Sequence, residues 1–337
     1  MRKSLVLFLF LALSFAVRGL AQDLERRFEE VFPGKPETVA LRVTRGVIEV
    51  TNAPEGGPLR FVVDLRVQDP EAKEGRSILE RLTPDLLAPF KRDVESAFES
   101  MKPRYKTTSD RVELSLRDSR PVVVDSDPTL QMTIVVKVEV PAGVKLEVRS
   151  AAAGVMVGDY QGSLDLRGES GSFFVGSVSG DFLGRTTSGS ITVGEVAGRS
   201  ELRTASGSIL AGKLRGAASL SSANGAIELQ QAFDALKIDA DDAEIVVGLS
   251  NPLPKDIAVR TSAGTITLNV DRNLPLTVDA ATRLLGKVRT RGLEPVIRRG
   301  SFNQSSLLAD FNGGGEAVKL RTSWGNILLV GREPIDS

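Results

Sequence analysis

Four arginines stand 18 residues apart in the middle of the chain: Arg149, Arg167, Arg185 and Arg203. Arg42, Arg260 and Arg321 occupy the same local setting nearer the ends, and Ser221, Asp239 and Asp279 interrupt the series. If each segment is one turn of a stacked structure, the guanidinium groups form a column with a spacing of about 4.8 Å. Like charges at that spacing repel by about 0.9 kcal/mol per pair in water, so something must offset them. Glu147, Asp165 and Glu201 stand two residues earlier, on the same face of a strand. The two columns together make a solvated, largely self-neutralising face. A sharper use is an anion strip formed by Arg149, Arg167, Arg185 and Arg203. Their guanidinium forks would engage the carboxylates or phosphates of an acidic envelope polymer.

Other chemistry is restricted by what is missing. The chain has neither histidine nor cysteine, so zinc sites, histidine general bases and disulfides are excluded. Asp239, Asp241, Asp242 and Glu244 are the densest acidic cluster. Their spacing fits neither an EF-hand loop nor the glycine-rich calcium repeat, so a solvated turn is expected and no metal site. Asp165 and Glu201 would lie two coils apart, roughly 9.6 Å, near the upper edge of the inverting-glycosidase range. This is the enzyme alternative, a polysaccharide-active β-helix. Ser170, Ser188 and Ser206 also recur every 18 residues, but nothing activates them and turn chemistry explains them.

The elements that must position these residues are one repeated unit. LDLRGESGSFFVGSVSGD (164–181), FLGRTTSGSITVGEVAGR (182–199) and SELRTASGSILAGKLRGA (200–217) share one pattern, with turn glycines Gly171, Gly189, Gly207 and Gly225. A fixed period of this size denotes stacked supersecondary units. The apolar places of the second copy are Phe182, Ile191, Val193 and Val196, with Gly184 in the remaining slot. Pairs separated by two residues are strands with one buried face. Glycine between the pairs turns the chain, with φ > 0 the expected reason, and Gly162, Gly180, Gly198 and Gly216 mark a second corner. Each coil buries about five apolar side chains at roughly 1.5–3 kcal/mol each, most of it offset by chain entropy. Neighbour stacking must supply the surplus, and both ends need caps.

The pattern extends beyond the clean copies. An earlier coil spans 146–163 around Gly154; later ones lie at 218–235, at 236–250 with Ala243 in the glycine slot, at 257–270 with Gly264 and at 318–331 with Gly325. Residues 41–50 have the same shape around Gly46, and 276–288 form a degenerate copy with Arg283 in the glycine slot. The period breaks twice. Residues 71–102 carry Leu87, Phe90, Val94, Phe98 and Met101 at helical spacing, an amphipathic helix expected to cap the N-terminal end, with a shorter helical piece before Pro84. Residues 286–316, basic and then glycine-rich, suggest a long loop before the terminal coil.

Residues 1–21 have a charged start, a short apolar run and small residues before Gln22, the layout of a secretory signal peptide. The expected plan is 22–36 as a lead-in, 37–332 as the solenoid and 333–337 as a tail. Lys and Arg total 43 against 43 Asp and Glu; loss of Arg2, Lys3 and Arg18 would leave about −3, which gives no bulk attraction to nucleic acid or to a membrane surface. No later stretch reaches the length of a transmembrane helix.

Residues 136–176, VKVEVPAGVKLEVRSAAAGVMVGDYQGSLDLRGESGSFFVG, combine alternating valines, a Val140-Pro141-Ala142-Gly143 turn and x-S-G-x coils. In these features the chain resembles the bacterial "putative adhesin" family of β-solenoid domains, as it does in GGGEAVKLRTSWGNILL at 313–329. The resemblance covers about residues 37–332, with the helical insertion as a departure, and implies no catalytic residues. The expectation is therefore an all-β parallel β-solenoid of 18-residue coils with a small helical insertion, right-handed although spacing does not dictate the hand. Its expected role is a non-enzymatic exported envelope or surface protein, periplasmic or extracellular, without cofactor. It would contact a cell-envelope polymer or protein partner. An accessory of an envelope-stress system is the rival binding role.

Overall fold

The computed structural model describes residues 24–68, 84–117, 131–294 and 296–333. The proposed signal peptide, the segment 69–83 where a short helical piece is expected, and residues 334–337 lie outside them. The repeat folds as a parallel β-solenoid. In the clean copies, Leu164–Gly168, Phe182–Thr186 and Ser200–Thr204 stack in register on one sheet. Phe173–Val178, Ile191–Val196 and Ile209–Leu214 stack on a second. Phe182, Ile191, Val193 and Val196 are all buried, as their spacing requires. The buried side chains form one continuous core from Val39 to Leu329.

The order of coils along the stack is not the order in the chain. Thr38–Asn52 is a complete coil lying second from one end. On one side it pairs with the coil built from Arg111–Leu116 and Gln131–Val140, and on the other with Lys145–Val157. Coils then follow in sequence through Leu236–Asp242 and Ile245–Leu249 to Ile257–Ala263 and Ile266–Asp271. The next slot is taken by the C-terminal segment, Ala317–Thr322 and Ile327–Arg332. Leu276–Thr282 and Val288–Arg291 come after it. The C-terminal coil is therefore not the terminal one.

Both ends finish with antiparallel strands. At the N-terminal end Arg104–Thr107 closes the first sheet against Arg111–Leu116. Leu59–Gln68 and Leu24–Phe32 close the second, so the expected lead-in is part of the sheet. The helix Pro84–Ser100 packs on this end. Phe90, Val94, Phe98 and Met101 are buried in the common core, and Arg26 of the edge strand pairs with Glu99. The Leu87 side chain lies outside the described set. At the other end, the expected loop 286–316 instead holds Val288–Arg291 and a hairpin of Val296–Asn303 and Ser306–Phe311. Leu307, Ala309 and Phe311 alternate inward over the last coil, which the glycine run beside them obscured.

Register corrects three single-residue assignments. The slot homologous to Gly171 is Ala153, not Gly154, because Ser150 pairs with Gly168 and Val155 with Phe173. In the degenerate copy Gly286, not Arg283, takes the glycine slot, with φ of 137° and no room for a Cβ against the Gly325 carbonyl. The coil starts at Val278, the partner of Val318, two residues later than its sequence pattern suggests, and one residue is inserted between Thr282 and Val288; together these make the three-residue slip. Asp279 pairs with Lys319 and so belongs to the acidic column, leaving Ala281 beside Arg321.

At Gly189 and Gly207 glycine is needed for close approach rather than for backbone freedom, whereas Gly171 and Gly264 have the expected positive φ, 138° and 127°. Gly189 and Gly207 do not have a left-handed φ. A Cβ on either would fall within 3.0 Å of the preceding coil's glycine carbonyl. Those carbonyls accept hydrogen bonds from a column of buried hydroxyls: Thr204 Oγ1 donates to Gly189 O at 2.9 Å and Ser222 Oγ to Gly207 O at 3.3 Å. A third glycine column, Gly176, Gly194 and Gly212, marks another corner with the same close approach.

Candidate functional site

The outward arginine column forms as strand alternation demands. Arg42, Arg149, Arg167, Arg185 and Arg203 are successive in-register partners, followed by Ser221, Asp239, Arg260 and Arg321. Most of its charge is met locally. Arg167 holds Asp165 in a two-pronged pair, Nε and Nη2 each 2.9 Å from an oxygen. Glu201 serves two arginines, Arg185 at 2.6 Å and Arg203 at 3.1 Å. Arg42 pairs with Glu113 at 2.9 Å, and Arg321 with Asp279 at 2.5 Å. Arg149 and Arg260 are exposed and make no ion pair among the described residues.

Two carboxylates of the acidic column are shifted by their cationic neighbours. The hydrogen bond from Arg185 holds the Glu201 carboxyl below the ordinary range. Burial pushes Glu147 upward, but hydrogen bonds from Lys145 and Arg111 outweigh it and lower its pKa. A glycosidase acid needs the opposite shift. Asp165 and Glu201 are thus the counter-ions of the arginine column, and Glu201 is not poised to give up a proton at neutral pH. Ser170, Ser188 and Ser206 donate to backbone carbonyls of the preceding coil at 3.2–3.4 Å, as turn residues do. Asp239 pairs with Lys237 at 2.9 Å. Among the described residues no three acidic side chains converge as a metal site would.

Where the column is interrupted, the surface opens into a trough of about 1050 Å³. Small residues interrupt two neighbouring outward columns here: Ser221 and Ala281 in the arginine column, and Ala205, Ala223, Ser262 and Ser323 beside it. Between them runs the buried hydroxyl column Thr204, Ser222, Thr261 and Thr322, which forms the floor. Arg203, Arg260, Arg283 and Arg321 reach the trough, against Asp239 and Asp241. Of the four arginines expected to form the anion strip, the structure brings only Arg203 to the trough. Arg149, Arg167 and Arg185 lie further along the column. Arg283 was missed because it was placed in a turn slot; the breaks at Ser221 and Asp239 were the available signal for the trough itself.

No family model matches the chain, and no curated protein matches it. Solved structures do align with it. One is described as a putative lipid binding protein from Parabacteroides distasonis ATCC 8503, 8% identical, covering 91% of this chain and 97% of that one with a TM-score of 0.46. Another, a putative adhesin from Bacteroides fragilis NCTC 9343, is 11% identical over 90% of this chain and 97% of its own, TM-score 0.34. A putative cell adhesion protein from Clostridium sporogenes ATCC 15579 is 9% identical over 92% and 100%, TM-score 0.22. At these values the solenoid is established by the chain's own coil register, and the neighbours add that proteins described as putative adhesins are among the structures it resembles.

Proposed function

We propose that this chain is a non-enzymatic, exported envelope or surface protein whose solenoid serves as an adhesion or scaffold surface, and whose trough holds a segment of an acidic polymer. The observation that carries this reading is the trough itself: four arginines and a hydroxyl floor along several stacked coils. A repeating ligand suits a site repeating about every 4.8 Å. Arg260 supplies a guanidinium free of any internal ion pair among the described residues, so a carboxylate or phosphate gains it without displacing a partner. The commitment of Asp165 and Glu201 to arginines favours binding over hydrolysis.

The test is binding of polygalacturonate and of polyphosphate to wild type and to a variant with Arg203→Gln and Arg260→Gln. Glu201 keeps Arg185 in that variant, so the fold loses little. Roughly tenfold weaker binding with an unchanged melting temperature is expected. Equal binding by the variant, equal binding of neutral dextran, or no binding by wild type overturns the proposal.

A further inference from the structure

One corner of the solenoid departs from the small polar residues found at the others. Where other coils place Ser170, Ser188 and Ser206, the last two place Trp324 and the pair Leu284 and Leu285. The amides of Leu284 and Leu285 both donate to the Ser323 carbonyl, at 3.0 and 3.2 Å, so these side chains and the indole share one tip. They are 58%, 63% and 57% exposed. Three large apolar side chains gathered on an exposed tip gain nothing from the fold, and such clusters mark contact surfaces.

The surrounding charge identifies the occupant. From Arg283 to Arg291 the chain carries Arg283, Lys287, Arg289 and Arg291 and no acidic residue. All four are exposed, and none has an ion-pair partner among the described residues. Arg289 and Arg291 lie on the edge strand of the second sheet, next to the tip. We infer that this corner docks on an anionic lipid bilayer, with Leu284, Leu285 and Trp324 entering the headgroup boundary and the four cations against lipid phosphates. A sugar would stack on the indole but leave both leucines in water. A second copy would bring two cationic clusters together. No helix among the described residues is long and apolar enough to cross a membrane.

Trp324 is the chain's only tryptophan, so its fluorescence reports on the corner directly. With vesicles of phosphatidylglycerol and phosphatidylcholine, a blue shift of emission and co-sedimentation are expected, both weakened by salt and by omitting the anionic lipid. The variant Leu284→Ser with Leu285→Ser keeps the reporter and should bind roughly tenfold more weakly. Arg289→Gln with Arg291→Gln should lose the preference for anionic lipid. None of these positions lines the trough, so polymer binding stays unchanged in both variants. Failure of wild type to bind these vesicles, undiminished binding by the serine variant, or an emission shift with acidic polysaccharide but not with vesicles overturns the inference.

Discussion

Replacing Gly207 by alanine tests the principle on which the stack is built. The added methyl would lie 2.6 Å from the Gly189 carbonyl carbon and 3.1 Å from the Ser190 nitrogen, with the carbonyl oxygen closer still. All are backbone atoms, held by the parallel ladder that pairs Ile191 with Ile209. Relief requires the two coils to separate, which stretches bonds such as Ile191 N to Ser208 O, 2.9 Å. It also disturbs the bond that Thr204 donates to the same carbonyl. Overpacking costs about 1–3 kcal/mol and a weakened hydrogen bond about 1 kcal/mol. The lost freedom of the unfolded chain returns about 0.4–1 kcal/mol. A net loss of about 1–3.5 kcal/mol is expected, or about 1.5–5 °C in melting temperature for a chain of this size. Gly158→Ala is the control. Nothing lies within 4 Å of a Cβ there and its φ is not left-handed, so only the unfolded-state gain remains. Urea unfolding followed by circular dichroism should therefore move the two variants in opposite directions at unchanged m. A Gly207→Ala midpoint equal to wild type, or both variants moving the same way, would refute the close-approach argument.

Three further perturbations follow from the same contacts. Thr204→Val removes the buried donor to Gly189 O and should cost about 1–2 kcal/mol in urea unfolding, while Thr204→Ser keeps the bond and most of the stability. Glu201 is held below the ordinary carboxylate range by Arg185, so its stabilising effect is present above that range and is lost as pH falls through the depressed value. Glu201→Gln should lower stability at neutral pH by no more than about 1 kcal/mol, the pair being partly solvated, and the difference should vanish in acid titrations. Phe98→Ala in the capping helix should cost about 3–5 kcal/mol and expose the N-terminal core, detectable as association in light scattering.

Much of the architecture is legible in the residues. The 18-residue period, the inward places of Phe182, Ile191, Val193 and Val196, and the outward arginines all follow from strand alternation, which depends only on local spacing. The same holds for Phe90, Val94, Phe98 and Met101 on a helix face. Slips of one to three residues were harder. Ala153 and Gly154, or Arg283 and Gly286, are equally plausible turn residues until the neighbouring coil fixes which of them faces its carbonyl.

Slot order lay beyond the sequence for a physical reason. A parallel coil presents equivalent hydrogen-bonding edges above and below, so any coil with the same apolar spacing fits any slot. Only the chain connections and the end caps place Ala317–Arg332 between Ile257–Asp271 and Leu276–Arg291. That placement sets Arg260, Arg321 and Arg283 along one trough and Trp324 beside Leu284 and Leu285. Local spacing thus determined what each coil buries and what it shows to solvent. Which coils lie side by side, and so which exposed residues can act together, was decided by tertiary packing.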